Sequence, residues 1–384
     1  MFADRFNGIT GSAIRDIFKI IAVPGMISFA GGNPAAEALR SDVLADIARD
    51  VLLADGKRIL QYGSSEGYAP LLEEAVKFLR ERGVEAAAEN ILPVSGSTQA
   101  IDLLCKALIN PGDTILVEDP TFLGATQTMR LYQANLVPVA LDDCGADIDA
   151  LESAIIKHKP KLVYLIPTFQ NPTGVTLSLE RRKAVAALAA KYDAYIIEDD
   201  PYRDLRYAGE PLPPIHSFDK SGKIIYLSSF SKLISPGLRV GIMTCSGELR
   251  RKLVIGKQST DIHNDQLAQA IVAEYLKRGL LPPHIEYICG LYGERMNAML
   301  AGLAEMGIAH TAPAGGLFVW CSLPEGSDAL ELLNRAVKKN VAFVPGTHFY
   351  VNGGHAETLR LNFSNSSALM IERGMSALAE ALAE

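Results

Sequence analysis

From about residue 41 to residue 277, apolar runs of strand length alternate with stretches of helix length, and nearly every apolar run stops at polar residues. This rhythm restricts the fold. Short continuous runs of Val, Ile, Leu and Tyr suit strands buried on both faces, and the intervening helices must cover those faces, which gives an α/β architecture with a mostly parallel sheet. The strand candidates are Thr114-Ile115-Leu116-Val117, Leu162-Val163-Tyr164-Leu165-Ile166, Tyr195-Ile196-Ile197, the run into Ser228, and Val240-Gly241-Ile242-Met243-Thr244. Residues 98–109 and 179–192 have the length and composition of covering helices. Open α/β sheets bind ligands outside the carboxyl ends of their strands, so function is sought in the polar residues at those ends.

At 384 residues the chain is long enough for two cores. The texture shifts after Pro282-Pro283, where a long helical stretch, 284–306, precedes short strand candidates near Phe318, Val341 and Leu359. The expected division is an N-terminal arm over 1–40 that forms part of a small domain, a large domain over 41–280, and a smaller α+β domain over 281–384. The arm carries an amphipathic helix, with Ile14, Ile17, Phe18 and Ile21 at helical spacing, and then the loop Ser28-Phe29-Ala30-Gly31-Gly32-Asn33-Pro34. Too short to fold alone, it is expected to pack on the small domain or on a partner subunit.

Charge and cysteine content exclude several function classes. The net charge of −7 argues against a nucleic-acid surface, and basic clusters such as Arg181-Arg182-Lys183 read as a solvated helix face. Cys105, Cys144, Cys245, Cys289 and Cys321 are odd in number, scattered and free of any CxxC pair, which points to buried reduced thiols rather than disulfides or a zinc site; no metal is expected. Met1-Phe2-Ala3-Asp4-Arg5 lacks the cationic start and apolar core of a signal peptide, and no stretch is apolar enough to span a bilayer, so the expected location is the cytoplasm, away from membranes.

Lys223-Ile224-Ile225-Tyr226-Leu227-Ser228-Ser229-Phe230-Ser231-Lys232 ends in hydroxyls and an amine, and Arg239 follows seven residues later. An amine in a desolvated pocket beside another cation is held toward its neutral form, which attacks a carbonyl to form a Schiff base. The hydroxyls and Arg239 can hold a phosphate dianion, and the mixture suits a phosphorylated aldehyde. Pyridoxal phosphate also needs an anion at its ring nitrogen, a donor to its ring hydroxyl, a platform and a phosphate cradle. Tyr195-Ile196-Ile197-Glu198-Asp199-Asp200-Pro201-Tyr202 supplies carboxylates at a strand end, Asn171 and Tyr202 are candidate donors, and Phe122 can stack on the ring. Ser95-Gly96-Ser97-Thr98-Gln99-Ala100 opens a helix whose free N–H groups favour an anion. Each piece alone has a plainer reading: a surface lysine, a strand-end turn, an Asn-Pro loop, an N-cap, a core aromatic.

Asn171-Pro172-Thr173-Gly174, Asp199-Asp200-Pro201-Tyr202, and Ser229-Phe230-Ser231-Lys232 with Arg239 resemble, in order and over nearly the whole chain, the signature of class I/II aminotransferases of pyridoxal-phosphate fold type I. Within that family the chain is most similar to the branch of α-aminoadipate and kynurenine aminotransferases and MocR-type effector domains. The resemblance implies a seven-stranded, mostly parallel sheet sandwiched by helices, beside a smaller α+β domain. It makes Lys232 the Schiff-base and proton-moving residue and Asp199 the ring-nitrogen partner. Ser97, Thr98, Ser229, Ser231 and Arg239 become phosphate ligands, with Tyr62 reaching in from the other subunit of a homodimer. Arg360, helped by Asn171 and the backbone of Gly32, becomes the grip on the substrate α-carboxylate, although a solvent-facing strand residue reads equally well from the residues alone. Arg15 is placed to meet a distal carboxylate, or else to pair with Asp16 on an exposed helix face. Phe122 stands where relatives often have Tyr, and Leu39-Arg40 where they often have Phe-Pro, which affects the pocket rim.

The implied activity is transfer of an amino group from glutamate, 2-aminoadipate, or an aromatic or aliphatic L-amino acid to a 2-oxo acid such as 2-oxoglutarate, in a ping-pong cycle. Two alternatives share the fold. One is a β-eliminating lyase, which cofactor motifs do not separate from a transferase. The other is a cofactor-binding effector domain of a regulator, for which the roughly thirty residues before Gly31-Gly32 leave no room for a winged helix.

Overall fold

The computed structural model describes residues 2–7 and 24–384; Arg15 and the expected amphipathic helix around Ile14 and Ile17 lie outside the described residues. The described residues form fourteen strands in order: β1 (Ile27–Ser28), β2 (Ile91–Val94), β3 (Thr114–Asp119), β4 (Asn135–Asp142), β5 (Gly145–Ala146), β6 (Leu162–Leu165), β7 (Tyr195–Asp199), β8 (Ile224–Ser229), β9 (Gly241–Thr244), β10 (Ala309–His310), β11 (Phe318–Ser322), β12 (Val341–Ala342), β13 (Val344–Pro345) and β14 (Thr358–Asn362). The large sheet has the order β2-β9-β8-β7-β6-β3-β4-β5. Its seven long strands match the expectation, and the two-residue β5 adds an eighth as a hairpin on β4. Strands β4, β3, β6, β7 and β8 are parallel, and β9 runs against β8 on one side and β2 on the other.

Alternation of side chains explains why both faces are covered. Leu116, Val163 and Ile196 pack with Leu151, Ile155 and Val185 of the helices Ile148–His158 and Leu179–Tyr192. Val117, Tyr164 and Ile197 point the other way and join Ile101, Leu104 and Leu253 of the helices Ser97–Leu108 and Gly247–Gln258. With both faces buried, only the strand ends can present polar groups to a ligand. The carboxyl ends of β3, β6, β7 and β8 open on one edge, and the turn after β2 and the residues before β9 reach the same edge.

Two expectations change. Arg182 is not on a solvated helix face: it is fully buried, donating to the carbonyls of Leu177, Pro167 and Pro213 and to the Thr168 hydroxyl. A guanidinium with five donors is tolerated in a core when carbonyls take them up. The long helix expected over 284–306 also starts earlier, because Pro282 and Pro283 both sit in the first turn of the 26-residue helix Leu281–Met306, where their missing N–H groups have no helical partner to lose. Of the cysteines, Cys105, Cys245 and Cys321 are buried, Cys289 is half-buried and Cys144 is exposed; all are free thiols. No helix of the described residues is long and apolar enough to cross a membrane.

The second sheet has the antiparallel order β10-β11-β14-β13, and β1 pairs in parallel with β12. Thus residues 27–28, near the start of the chain, are built into its C-terminal third. The helix Ala368–Ala383 lies across β1 at Gly374, where an added Cβ would stand 2.4 Å from Phe29 Cζ and 2.9 Å from Ile27 Cγ2. Helix propensity alone makes Gly374→Ala stabilising by about 1 kcal/mol. Overpacking against Phe29 is expected to reverse the sign and destabilise by about 1–3 kcal/mol in denaturant unfolding. A gain in stability would show that the helix and β1 are not in such close contact.

Candidate active site

A cavity of ≈ 280 Å³ opens at the shared strand edge. Ser97, Thr98 and Phe122 line one side, Asn171, Asp199 and Tyr202 the floor, Ser229, Ser231, Lys232 and Arg239 the next wall, and Gly32 and Arg360 the mouth toward the second sheet. Every sequence candidate is therefore brought together except Arg15, outside the described residues, and Tyr62. The Tyr62 side chain is 78% exposed, away from this cavity, with its ring edge-on to His263 at 5.9 Å.

Asp199 ends β7 under the floor of the cavity. Burial pushes its carboxyl up to about 6, against hydrogen bonds from the Tyr164 hydroxyl and the Ser97 hydroxyl, each at 2.8 Å, while neighbouring Asp200 adds to the rise. At pH 7 it remains mainly anionic. Lys232 donates to the Gly32 carbonyl at 2.7 Å, and burial, aided by the cations Arg360 and Arg239, brings its amine down to about 8. An amine so placed reaches its neutral, nucleophilic form near physiological pH.

The anion corner is built on a glycine. Gly96 precedes the helix Ser97–Leu108 with φ +79, and an added Cβ would lie 2.6 Å from Arg239 Nη2. Arg239, itself left-handed at φ 52, donates to the Ser95 carbonyl at 2.7 Å and to the Ser231 hydroxyl at 3.3 Å, and Ser229 donates to Ser231 at 3.0 Å. Helix N-terminal N–H groups, two hydroxyls and a guanidinium thus converge. The Ser97 hydroxyl is not free to join them, because it is turned to Asp199; its backbone N–H remains at the helix start.

At the other end, Arg360 of β14 is nearly fully buried between the rings of Phe318 and Phe349, with its guanidinium carbon 4.2 and 4.8 Å from their centroids. It donates to Asn171 Oδ1 at 2.8 Å and to the Ala30 carbonyl at 2.6 Å, while Nε has no partner among the described residues. Asn171 in turn donates to the Tyr202 hydroxyl at 3.2 Å. A buried guanidinium on a cavity wall suits a carboxylate.

Sequence reasoning missed Tyr164 and Phe318, which look like ordinary core aromatics within apolar runs, and Glu118, which looks like an ordinary acid at a strand end. The one available signal was position: Tyr164 lies two residues before the end of a strand-like run. The residues present fit pyridoxal phosphate. A depressed amine, a buried carboxylate, a glycine-based anion corner and a buried guanidinium together meet an aldehyde, a ring nitrogen, a phosphate and a substrate carboxylate.

Comparison with known proteins agrees. Residues 24–378 match the family described as Aminotransferase class I and II. The aromatic-amino-acid aminotransferase 1 of Thermococcus litoralis is 41% identical over 100% of this chain and 94% of its own length, and the 2-aminoadipate transaminase of Thermus thermophilus is 38% identical over 99% and 96%. The crystal structure of Pyrococcus horikoshii kynurenine aminotransferase, a complex with PMP, superposes with a TM-score of 0.95 at 38% identity, covering 100% of this chain and 97% of that one. The chain belongs to the class I and II aminotransferases, pyridoxal-phosphate-dependent enzymes of fold type I, in the branch of aminoadipate and kynurenine aminotransferases.

Proposed function

We propose that this aminotransferase moves the amino group of glutamate, 2-aminoadipate or an aromatic L-amino acid to a 2-oxo acid such as 2-oxoglutarate, in two half-reactions of a ping-pong cycle. The observation that carries this reading is the buried Arg360, whose side chain lines the same cavity as Lys232. Similarity to proteins named for aromatic, aminoadipate and kynurenine substrates supports the choice of donors.

The chemistry supplied by pyridoxal phosphate when bound is covalent capture of an amine and withdrawal of electrons from its Cα. With the cofactor bound, Lys232 Nζ would take the Cα proton as a general base and give it back later in the same half-reaction as a general acid. Asp199, held by Tyr164 and Ser97, keeps a proton on the ring nitrogen through its anionic charge. Arg239, Ser229, Ser231 and the N–H groups at Ser97 and Thr98 bind the phosphate. Asn171 and Tyr202 would hold the ring hydroxyl, Phe122 would offer the ring a face, and Arg360, with Asn171 and the backbone of Gly32, would grip the substrate's carboxylate. Tyr62, exposed on its own subunit, completes the phosphate site of a second copy in a homodimer.

A screen of amino donors against 2-oxoglutarate tests the activity: glutamate, 2-aminoadipate or aromatic donors are expected to yield 2-oxo acids only when an acceptor is present. Release of pyruvate and ammonia from cysteine or cystathionine without an acceptor would instead establish a lyase. Tyr62→Phe is expected to leave a dimer in sedimentation but weaken cofactor affinity about tenfold, the worth of one charge-assisted hydrogen bond. A monomer with undiminished cofactor affinity would remove the shared-site reading.

Lys232 also sets a pH dependence. Because its folded-state pKa lies below the ordinary 10.5, burying the charged amine weakens the cofactor-free fold in full below about pH 8, and the penalty disappears as pH climbs past 10.5. Lys232→Met is therefore expected to stabilise the cofactor-free protein by about 3 kcal/mol at pH 7, with a gain that shrinks between pH 8 and 10.5. A gain independent of pH would mean that the amine is not desolvated.

A further inference from the structure

Glu118 brings a carboxyl group into the core beside the cavity, yet it touches neither the ring pocket nor the substrate end. It stands one residue before the end of β3, 2% exposed, and burial pushes its carboxyl up to about 8 against the hydrogen bonds it accepts. The β3–β6 ladder runs only as far as Val117 and Tyr164. Where it stops, Glu118 takes over: Oε2 accepts the Ile166 N–H at 3.0 Å and Gln170 Nε2 at 3.3 Å.

Gln170 is fully used. It gives a second N–H to the Pro120 carbonyl at 2.8 Å, and its oxygen accepts the N–H and hydroxyl of Thr173 at 2.9 and 2.8 Å, which exhausts the two donors and two lone pairs of an amide. The next residue is Asn171, whose oxygen receives Arg360. The segment that leaves β3 toward Phe122 and the loop that presents Asn171 are thereby tied together below the cavity floor. An apolar side chain in place of Glu118 would leave the Ile166 N–H and one Gln170 N–H unpaired in the core, a loss the loop can relieve only by moving.

We propose that Glu118 is a positioning residue for substrate binding: by holding Ile166 and Gln170 it sets the place of Asn171 and, through Asn171, of the Arg360 guanidinium. This rests on the reading of Arg360 as the grip on the substrate carboxylate. A residue that only supported the fold would lower stability without separating KM from kcat.

The test uses the full-length, cofactor-loaded enzyme. Glu118→Met is expected to raise the KM of the amino donor about tenfold while kcat and the cofactor Kd, measured by absorbance titration, stay within about threefold. Glu118→Gln, which keeps an acceptor oxygen, is expected to recover most of the loss. In an Asn171→Ala background, Glu118→Met is expected to add less than about twofold to KM, since a link that acts through Asn171 cannot be lost twice. An unchanged KM in Glu118→Met, or the same tenfold rise in both backgrounds, overturns the proposal. If Asn171→Ala itself leaves KM unchanged, the carboxylate-grip reading fails and the proposal with it; if Asn171→Ala raises KM and Glu118→Met does not, only the role of Glu118 fails. Should Glu118→Met not fold, Gln170→Met cuts the same tie from the other side and is judged by the same criteria.

Discussion

Among the described residues three cations and one anion share a single small cavity, and the rest of the site follows from that imbalance. Lys232, Arg239 and Arg360 face inward with Asp199 as the facing carboxylate, an excess of positive charge that a phosphate dianion and a substrate carboxylate would neutralise. Each charged group is anchored before any ligand arrives. Asp199 has two hydroxyl donors, Lys232 a carbonyl, Arg239 a carbonyl and a hydroxyl, and Arg360 an amide oxygen and a carbonyl. Such preorganisation means that little rearrangement is left to oppose binding.

The sheet makes this arrangement possible. Parallel strands buried on both faces cannot carry charge along their length, so the chemistry is confined to their ends, and five neighbouring strands ending on one edge bring distant sequence segments within a few ångströms. Asp199, Lys232 and the Asn171 loop follow three adjacent strands, β7, β8 and β6. The reversed β9 contributes from its start rather than its end, which is how Arg239 comes to lie over Gly96.

Much of this was legible in the order of residues, for identifiable reasons. Strands β3, β6, β7, β8 and β9 were visible because Val, Ile, Leu and Tyr run without interruption between polar stops. Two of the longer strands of the large sheet were not. β2 is four residues long with Pro93 inside it, and β4 holds Pro138 and is mostly half-exposed near the sheet edge, so neither shows a continuous apolar run. The lysine, aspartate and asparagine of the site were legible because their local strings are unusual. Tyr164 and Glu118 were not, since an aromatic in an apolar run and an acid at a strand end are common, and their meaning lies in partners 35 and 48 residues away. Arg182 reversed its expected place for the same reason: burial of a charge depends on carbonyls supplied from loops elsewhere in the chain.

The pairing of β1 with β12 has an outcome for how the enzyme comes into being. The carbonyls that steady Arg360 and Lys232 belong to Ala30 and Gly32, just past β1, whereas Arg360 is contributed some 330 positions downstream. Closure of the site, including the anchoring of Lys232 through Gly32, therefore waits until β12 and β14 have left the ribosome, while the strands of the large sheet can pair before then.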